Sequence, residues 1–182
     1  AMGDKALAPI VVDLDRCWGC RTCEVACSLE HRLAPDLSFI HVEEKRESSP
    51  IPGSPQGKSF IPVFCQHCDD PACVSACPSG ALVKDGDGIV RANPEACIGC
   101  GACEDSCPYG ALILLPESGT AGLCDLCVSR QVSGRLPACV QHCPGRALSL
   151  ADSGDETASA AQKTEQKLKF GWAVGRTVYK AR

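Results

Sequence analysis

The residues able to do chemistry here are cysteines, 16 of them in a chain of 182 residues, a share far above ordinary globular usage. They fall into four groups of four with none left over. Group one is Cys17-x2-Cys20-x2-Cys23-x3-Cys27, and group three, Cys97-x2-Cys100-x2-Cys103-x3-Cys107, repeats that spacing and continues into Pro108. Group two widens one gap, Cys65-x2-Cys68-x4-Cys73-x3-Cys77-Pro78, and group four widens it further, Cys124-x2-Cys127-x11-Cys139-x3-Cys143-Pro144. Thiols in such sets form disulfides, bind zinc or bind iron-sulfur clusters, and the three outcomes need different compartments and spacings. Residues 1 to 14 carry one basic residue, Lys5, and no long apolar run, so they do not read as a secretory signal. No apolar stretch approaches the roughly 18 residues of a membrane span. The expectation is a cytoplasmic chain with no transmembrane segment, in a reducing compartment where grouped thiols are metal ligands.

A C-x2-C-x2-C-x3-C-P run is the bacterial ferredoxin arrangement, in which three cysteines hold one 4Fe-4S cluster and the fourth serves the other cluster of a pair. Two-residue gaps wrap the chain around one cluster and aim its N–H groups at sulfur. The fourth cysteine then sits about one helical turn further on. Zinc ribbons instead use paired C-x2-C knuckles about 15 to 20 residues apart, and three cysteines within seven positions do not suit them. The spacing therefore implies four 4Fe-4S clusters with all sixteen cysteines as iron ligands; a zinc-binding structural protein is the remote alternative. The formal charge of −4 counts thiols as neutral. Sixteen thiolates around four oxidised cores bring it to about −12, which argues against a nucleic-acid partner.

The elements that must carry these ligands are short. After groups two, three and four, Cys-x3-Cys-Pro is followed by Ser79-Gly80-Ala81-Leu82, Tyr109-Gly110-Ala111-Leu112 and Gly145-Arg146-Ala147-Leu148, each leucine 9 residues past the third cysteine. This is an internal repeat, with proline and glycine turning each helix toward a strand. Strands are expected at 10–13, 88–91, 111–115 and 147–150, each unit running strand, cluster loop, short helix, strand. Group one has Ser28 in place of the proline, so its helix is expected to run on. The fold class is α+β: tandem bacterial-type dicluster ferredoxin folds with short strands, short helices and long cluster-binding loops. Residues 48–64, rich in proline, glycine and serine at their start, read as an insertion loop. Residues 151–182 read as a C-terminal tail; its Phe170, Trp172 and Tyr179 suggest a contact with another subunit in preference to the chain's own core.

The x4 gap of group two and the x11 gap of group four make residues 10–150 resemble the four-cluster iron-sulfur subunits of the dimethyl sulfoxide reductase beta-subunit type, ferredoxin-like electron carriers of many molybdenum and tungsten enzymes. The resemblance implies that groups two and three form an inner half (65–115) and groups one and four an outer half (1–47 with 116–150). It implies four ligand sets. The inner ones are Cys65, Cys68, Cys73 with Cys107, and Cys97, Cys100, Cys103 with Cys77. The outer ones are Cys17, Cys20, Cys23 with Cys143, and Cys124, Cys127, Cys139 with Cys27. The stretch from Cys17 to Leu29 looks most like the small subunits that accompany tungsten aldehyde oxidoreductases and like carriers beside carbon monoxide dehydrogenase.

The implied function is electron relay, without catalysis of its own, between a tungsten- or molybdenum-pterin catalytic subunit and a further redox subunit or soluble carrier in an anaerobic oxidoreductase complex. A free-standing polyferredoxin serving enzymes such as carbon monoxide dehydrogenase or hydrogenase is the alternative, and self-association is left open. Around the clusters, Asp69, Asp70, Glu104 and Asp105 are expected to disfavour electron uptake, and Arg21 and Arg146 to favour it. His67 and His142 are expected near clusters as hydrogen-bond donors, His31 and His41 at the surface, and Trp18 and Tyr109 as covers.

Overall fold

The computed structural model describes residues 7–46, 58–151 and 177–180. The β-branched run Ile10–Asp13 forms strand β1, with Ile10, Val11 and Val12 buried. Helix α1 (Thr22–His31) starts from Arg21 and ends on Arg32, both left-handed, with φ of 58° and 53°. The Arg32 and Leu33 N–H groups close the last turn on the carbonyls of Leu29 and Ser28. With serine where the other groups have proline, nothing interrupts this helix before His31, as the sequence led one to expect.

Helices α2 (Ala72–Ser75), α3 (Ala102–Asp105) and α5 (Ala138–Gln141) have 4 residues each. Each begins one residue before the third cysteine of its group, and each is followed at the same offset by a strand: β4 (Leu82–Lys84), β6 (Leu112–Leu114) and β8 (Leu148–Leu150). Single turns of this kind are not stable alone. They are held by their buried cysteines Cys73, Cys103 and Cys139. Helix α4 (Val128–Val132) occupies the x11 gap of group four.

Hairpins β4–β5 (β5, Val90–Ala92) and β6–β7 (β7, Ala121–Leu123) form two antiparallel pairs. A longer pair joins β2 (Ile40–Arg46) to β3 (Lys58–Phe64) with Ile40 opposite Phe64. Strand β1 lies between antiparallel β8 and parallel β9 (Thr177–Lys180), with Ile10 facing Leu150 on one side and Thr177 on the other. One apolar core runs through these sheets. Ile10, Ile40, Phe64, Leu82, Ile89 and Leu112 pack there with Cys23, Cys27, Cys65, Cys73, Cys103, Cys124 and Cys139.

Two expectations are corrected. The insertion loop assigned to 48–64 does not extend to 64: Lys58–Phe64 is a strand, and Phe60, Ile61, Val63 and Phe64 supply the apolar side chains that pin it to β2 and the core. Residues 47–57 lie outside the described residues. The tail at 151–182, read as a subunit contact, contributes β9 to the chain's own sheet, because β1 offers it a free edge for parallel pairing; Phe170 and Trp172 lie outside the described residues. Among the described residues no helix is long and apolar enough to cross a membrane.

Ile89, just before the second strand of the β4–β5 hairpin, is 0 % exposed. Ile89→Ala is expected to cost about 2–5 kcal/mol, read as a lowered Tm of the cluster-loaded chain. An unchanged Tm would contradict a packed core at this hairpin.

Candidate functional site

Each C-x2-C loop places one residue in the left-handed region at the same point, two after the first cysteine: Gly19 (φ 78°), His67 (48°), Gly99 (67°) and Leu126 (58°). This conformation bends the backbone so that an N–H points back at sulfur. The N–H groups of Gly19, His67 and Leu126 donate to Cys17, Cys65 and Cys124, the last at 3.4 Å. A second left-handed residue follows each Cys-Pro: Gly80 (65°), Gly110 (58°) and Arg146 (49°). It turns the next N–H onto the group's last sulfur, Ala111 to Cys107 at 3.4 Å and Ala147 to Cys143 at 3.2 Å, with Ala81 serving Cys77 in the same way. The repeated x-Gly-Ala-Leu tail thus has a physical cause: its alanine is the sulfur donor. Cys27 lacks that turn, and its sulfur takes N–H donors from Phe39 and Ile40 instead.

The folded chain gathers these thiols into four quartets, each with three cysteines from one group and one from another. Cys65, Cys68, Cys73 and Cys107 line one cavity, flanked by Tyr109. Cys97, Cys100, Cys103 and Cys77 line a second, and Cys17, Cys20, Cys23 and Cys143 a third, flanked by Trp18. In the fourth, Cys27 repels Cys124, Cys127 and Cys139 when they ionise. Cys20 and Cys100 are exposed, whereas Cys124, Cys127 and Cys139 are buried.

Burial works against ionisation. Together with neighbouring thiolates, and Glu24 beside Cys23, it pushes the thiols of Cys23, Cys27 and Cys65 up to about 12 and that of Cys73 to about 11. Cys124 and Cys139 are held well above the ordinary thiol value for the same reasons. Thiols this hard to ionise become ligands only beside a compensating cation. A donor set of four sulfurs with N–H groups aimed at them and apolar walls fits a 4Fe-4S cluster.

The other residues singled out from the sequence fall unevenly. His67 is 1 % exposed, but its Nδ1 accepts the Val90 N–H at 3.0 Å and so carries no proton to give Cys65, 3.7 Å away. His142 is exposed, and His41 pairs with Glu43 at 3.6 Å. His31, read as a surface residue, is 21 % exposed and reaches the Cys127 sulfur at 3.8 Å. Asp69 is offset by Lys84, whose Nζ also donates to the Cys68 carbonyl at 2.7 Å. Arg21 is tied to Glu24 at 3.7 Å and to the Val42 carbonyl, so its field is partly cancelled. Sequence reasoning missed Arg130, a buried guanidinium joining α4 to Glu30 of α1 at 2.6 Å, to the Leu136 carbonyl and to Gln141 of α5. No spacing rule links residues so far apart; the one trace of the His31 contact was Ser28, which lets α1 reach it.

Residues 57–153 match the family described as a 4Fe-4S dicluster domain, and residues 14–30 match the family described as a 4Fe-4S binding domain. The chain is 42 % identical over 142 residues to a probable anaerobic dimethyl sulfoxide reductase chain of Escherichia coli (strain K12), YnfG, covering 75 % of this chain and 69 % of the relative. It is 39 % identical over 142 residues, with the same coverage, to a second anaerobic dimethyl sulfoxide reductase chain of that strain. A tetrathionate reductase subunit of Archaeoglobus fulgidus is 42 % identical over 128 residues, 70 % of this chain and 58 % of the relative.

The raised thiols set a pH dependence. Cys23, Cys27 and Cys65 move from an ordinary value of 9 to about 12 on folding, so the protonated form favours the folded chain. That contribution is complete below pH 9 and is lost as pH climbs toward about 12. A cluster-free chain kept reduced is therefore expected to lose ellipticity progressively above pH 9, while the loaded chain holds its signal. A cluster-free signal that stays flat from pH 8 to 11 would contradict this.

Proposed function

The chain belongs to the 4Fe-4S dicluster family of iron-sulfur subunits of the dimethyl sulfoxide reductase beta-subunit type, electron-transfer subunits with four 4Fe-4S clusters, and on that premise we propose that each of its thiol quartets holds one cluster. Cys65, Cys68, Cys73 and Cys107 hold one, and Cys97, Cys100, Cys103 and Cys77 the next. Cys17, Cys20, Cys23 and Cys143 hold the third, and Cys124, Cys127, Cys139 and Cys27 the fourth. The observation that carries this reading is that every quartet borrows its fourth sulfur from a different cysteine group, so that neighbouring sites share a short piece of backbone.

When bound, each cluster supplies one-electron chemistry with little change of geometry. The chain's own residues support an order. Groups two and three exchange Cys77 and Cys107. Cys124 lies close enough to Cys65 to repel it, and Cys139 to Cys23. These contacts support a sequence of groups three, two, four and one. The two exposed thiols, Cys100 and Cys20, belong to the groups at its ends, where electrons enter and leave. The N–H groups donated to sulfur favour the more negative, reduced state, and the apolar walls limit water at each site. The division into an inner half at 65–115 and an outer half at 1–47 with 116–150 follows from the same exchange.

The partner is a catalytic oxidoreductase subunit carrying a molybdenum- or tungsten-pterin, with a second redox subunit or a soluble carrier at the other end. The relatives' names favour an anaerobic reductase of sulfoxide or sulfur oxyanion type. The tungsten aldehyde oxidoreductase reading rests on the stretch Cys17–Leu29 alone. The cytoplasm remains the proposed site of action.

Cys77→Ser and Cys107→Ser test the crossed ligands. Cys77→Ser is expected to remove the group-three cluster and leave that of group two, and Cys107→Ser the reverse, each lowering iron content by about one cluster in four. Loss of the same cluster in both variants, or of none, would overturn the ligand sets. Anoxic purification of the complex, followed by mass spectrometry and assays for molybdenum and tungsten, identifies the partner; a pterin enzyme bearing neither metal, or no companion chain, would overturn that part.

A further inference from the structure

Two imidazoles approach cluster-site sulfurs among the described residues, and they differ in what they can give. His67 Nδ1 sits 3.7 Å from Cys65 but is occupied as the acceptor of the Val90 N–H. His31 presents Nε2 to Cys127 at 3.8 Å, from the last turn of α1, 96 residues away in sequence. The Phe39 ring meets its ring edge-on, with centroids 5.0 Å apart, which fixes the orientation of the imidazole. Asp125 Oδ1 also lies 3.8 Å from Nε2, too far for an N–H···O hydrogen bond, and accepts the Cys127 N–H at 2.8 Å. A thiolate ligand can only accept, so the contact between Nε2 and Cys127 requires the proton on Nε2.

We infer that His31 tunes the group-four cluster through Cys127: it donates Nε2–H to that sulfur and raises the potential at which the cluster takes its electron. A donated hydrogen bond draws charge from the sulfur and stabilises the reduced state more than the oxidised one. The electron arrives from a neighbouring cluster, no bond is made or broken, and the proton stays on Nε2 throughout. The residue therefore acts as a positioning and tuning group, on the helix that also carries Cys27 of the same quartet. This rests on the ligand sets proposed above.

The full chain, loaded with clusters and kept anoxic, is titrated potentiometrically with EPR detection as wild type, His31→Leu, His31→Gln and His41→Leu. In His31→Leu one of the four midpoint potentials is expected to move down and three to stay. His31→Gln, whose amide can donate, is expected to restore most of that shift, and His41→Leu to change none. Pulsed EPR on protein labelled with 15N in the histidine ring alone should show a nitrogen coupling at a reduced cluster that is absent in His31→Leu. Four unmoved potentials in His31→Leu, or a shift in His31→Gln as large as that in His31→Leu, would overturn the inference. If His31→Leu loses a cluster, the comparison of His31→Gln with wild type and the wild-type nitrogen coupling decide; absence of the coupling in wild type overturns it. Wild-type protein carrying fewer than four clusters would instead overturn the ligand reading, a failure distinguishable by iron content alone.

Discussion

A thiolate placed inside a protein has lost its water and stands beside other thiolates, and the structure is arranged around that cost. Seven of the sixteen cysteines belong to the apolar core, where burial is the largest cause raising each of their thiols above the ordinary value. Side-chain packing does not offset this, because the chain is only 4 % aromatic and its helices α2, α3 and α5 are single turns. The positive charge of a cluster core, which we propose sits in each quartet, and the N–H dipoles around it do. The same groups that give this chain its function thus stand in for the bulky side chains that fill other cores of this size.

Backbone conformation carries much of the work. Four C-x2-C loops and three Cys-Pro turns each spend one residue in the left-handed region, and at every one but Gly99 an N–H is seen donating to sulfur. Glycine takes that conformation readily. His67, Leu126 and Arg146 take it at a cost of roughly 1–2 kcal/mol each. His67 and Leu126 are 1 % and 0 % exposed, so burial of these side chains offsets the strain. At Gly99 the alternative is closed off as well, since a Cβ there would stand 2.5 Å from the Gly119 carbonyl.

What the sequence made legible was local. Cysteine spacing marked every loop, and the nine-residue interval from Cys73, Cys103 and Cys139 to Leu82, Leu112 and Leu148 anticipated the identical helix-to-strand offsets. Strand β1 and the extension of α1 could be read from β-branched residues and from Ser28. What escaped were pairings between distant segments. Nothing in Lys58–Phe64 names β2 as its partner, and the proline-rich residues before it concealed a strand that begins where they stop. Strand β9 is four residues whose identity depends on an open edge of β1. The contacts of Arg130 with Glu30, of His31 with Cys127 and of Lys84 with Asp69 are products of tertiary approach, and only the charges, not the matches, were visible in the chain.

The third quartet draws Cys17, Cys20 and Cys23 from the beginning of the chain and Cys143 from near its end. A ribosome delivers these sulfurs in that order, about 120 residues apart, so at ordinary synthesis rates three thiols wait on the order of 6–24 s for the fourth. The inner quartets close much sooner, because Cys65 to Cys107 emerge together. The nesting therefore gives biogenesis a direction: one end of the relay, groups three and two, can be assembled while the chain is still growing, and the outer half is sealed only when the last cysteine and strand β9 arrive.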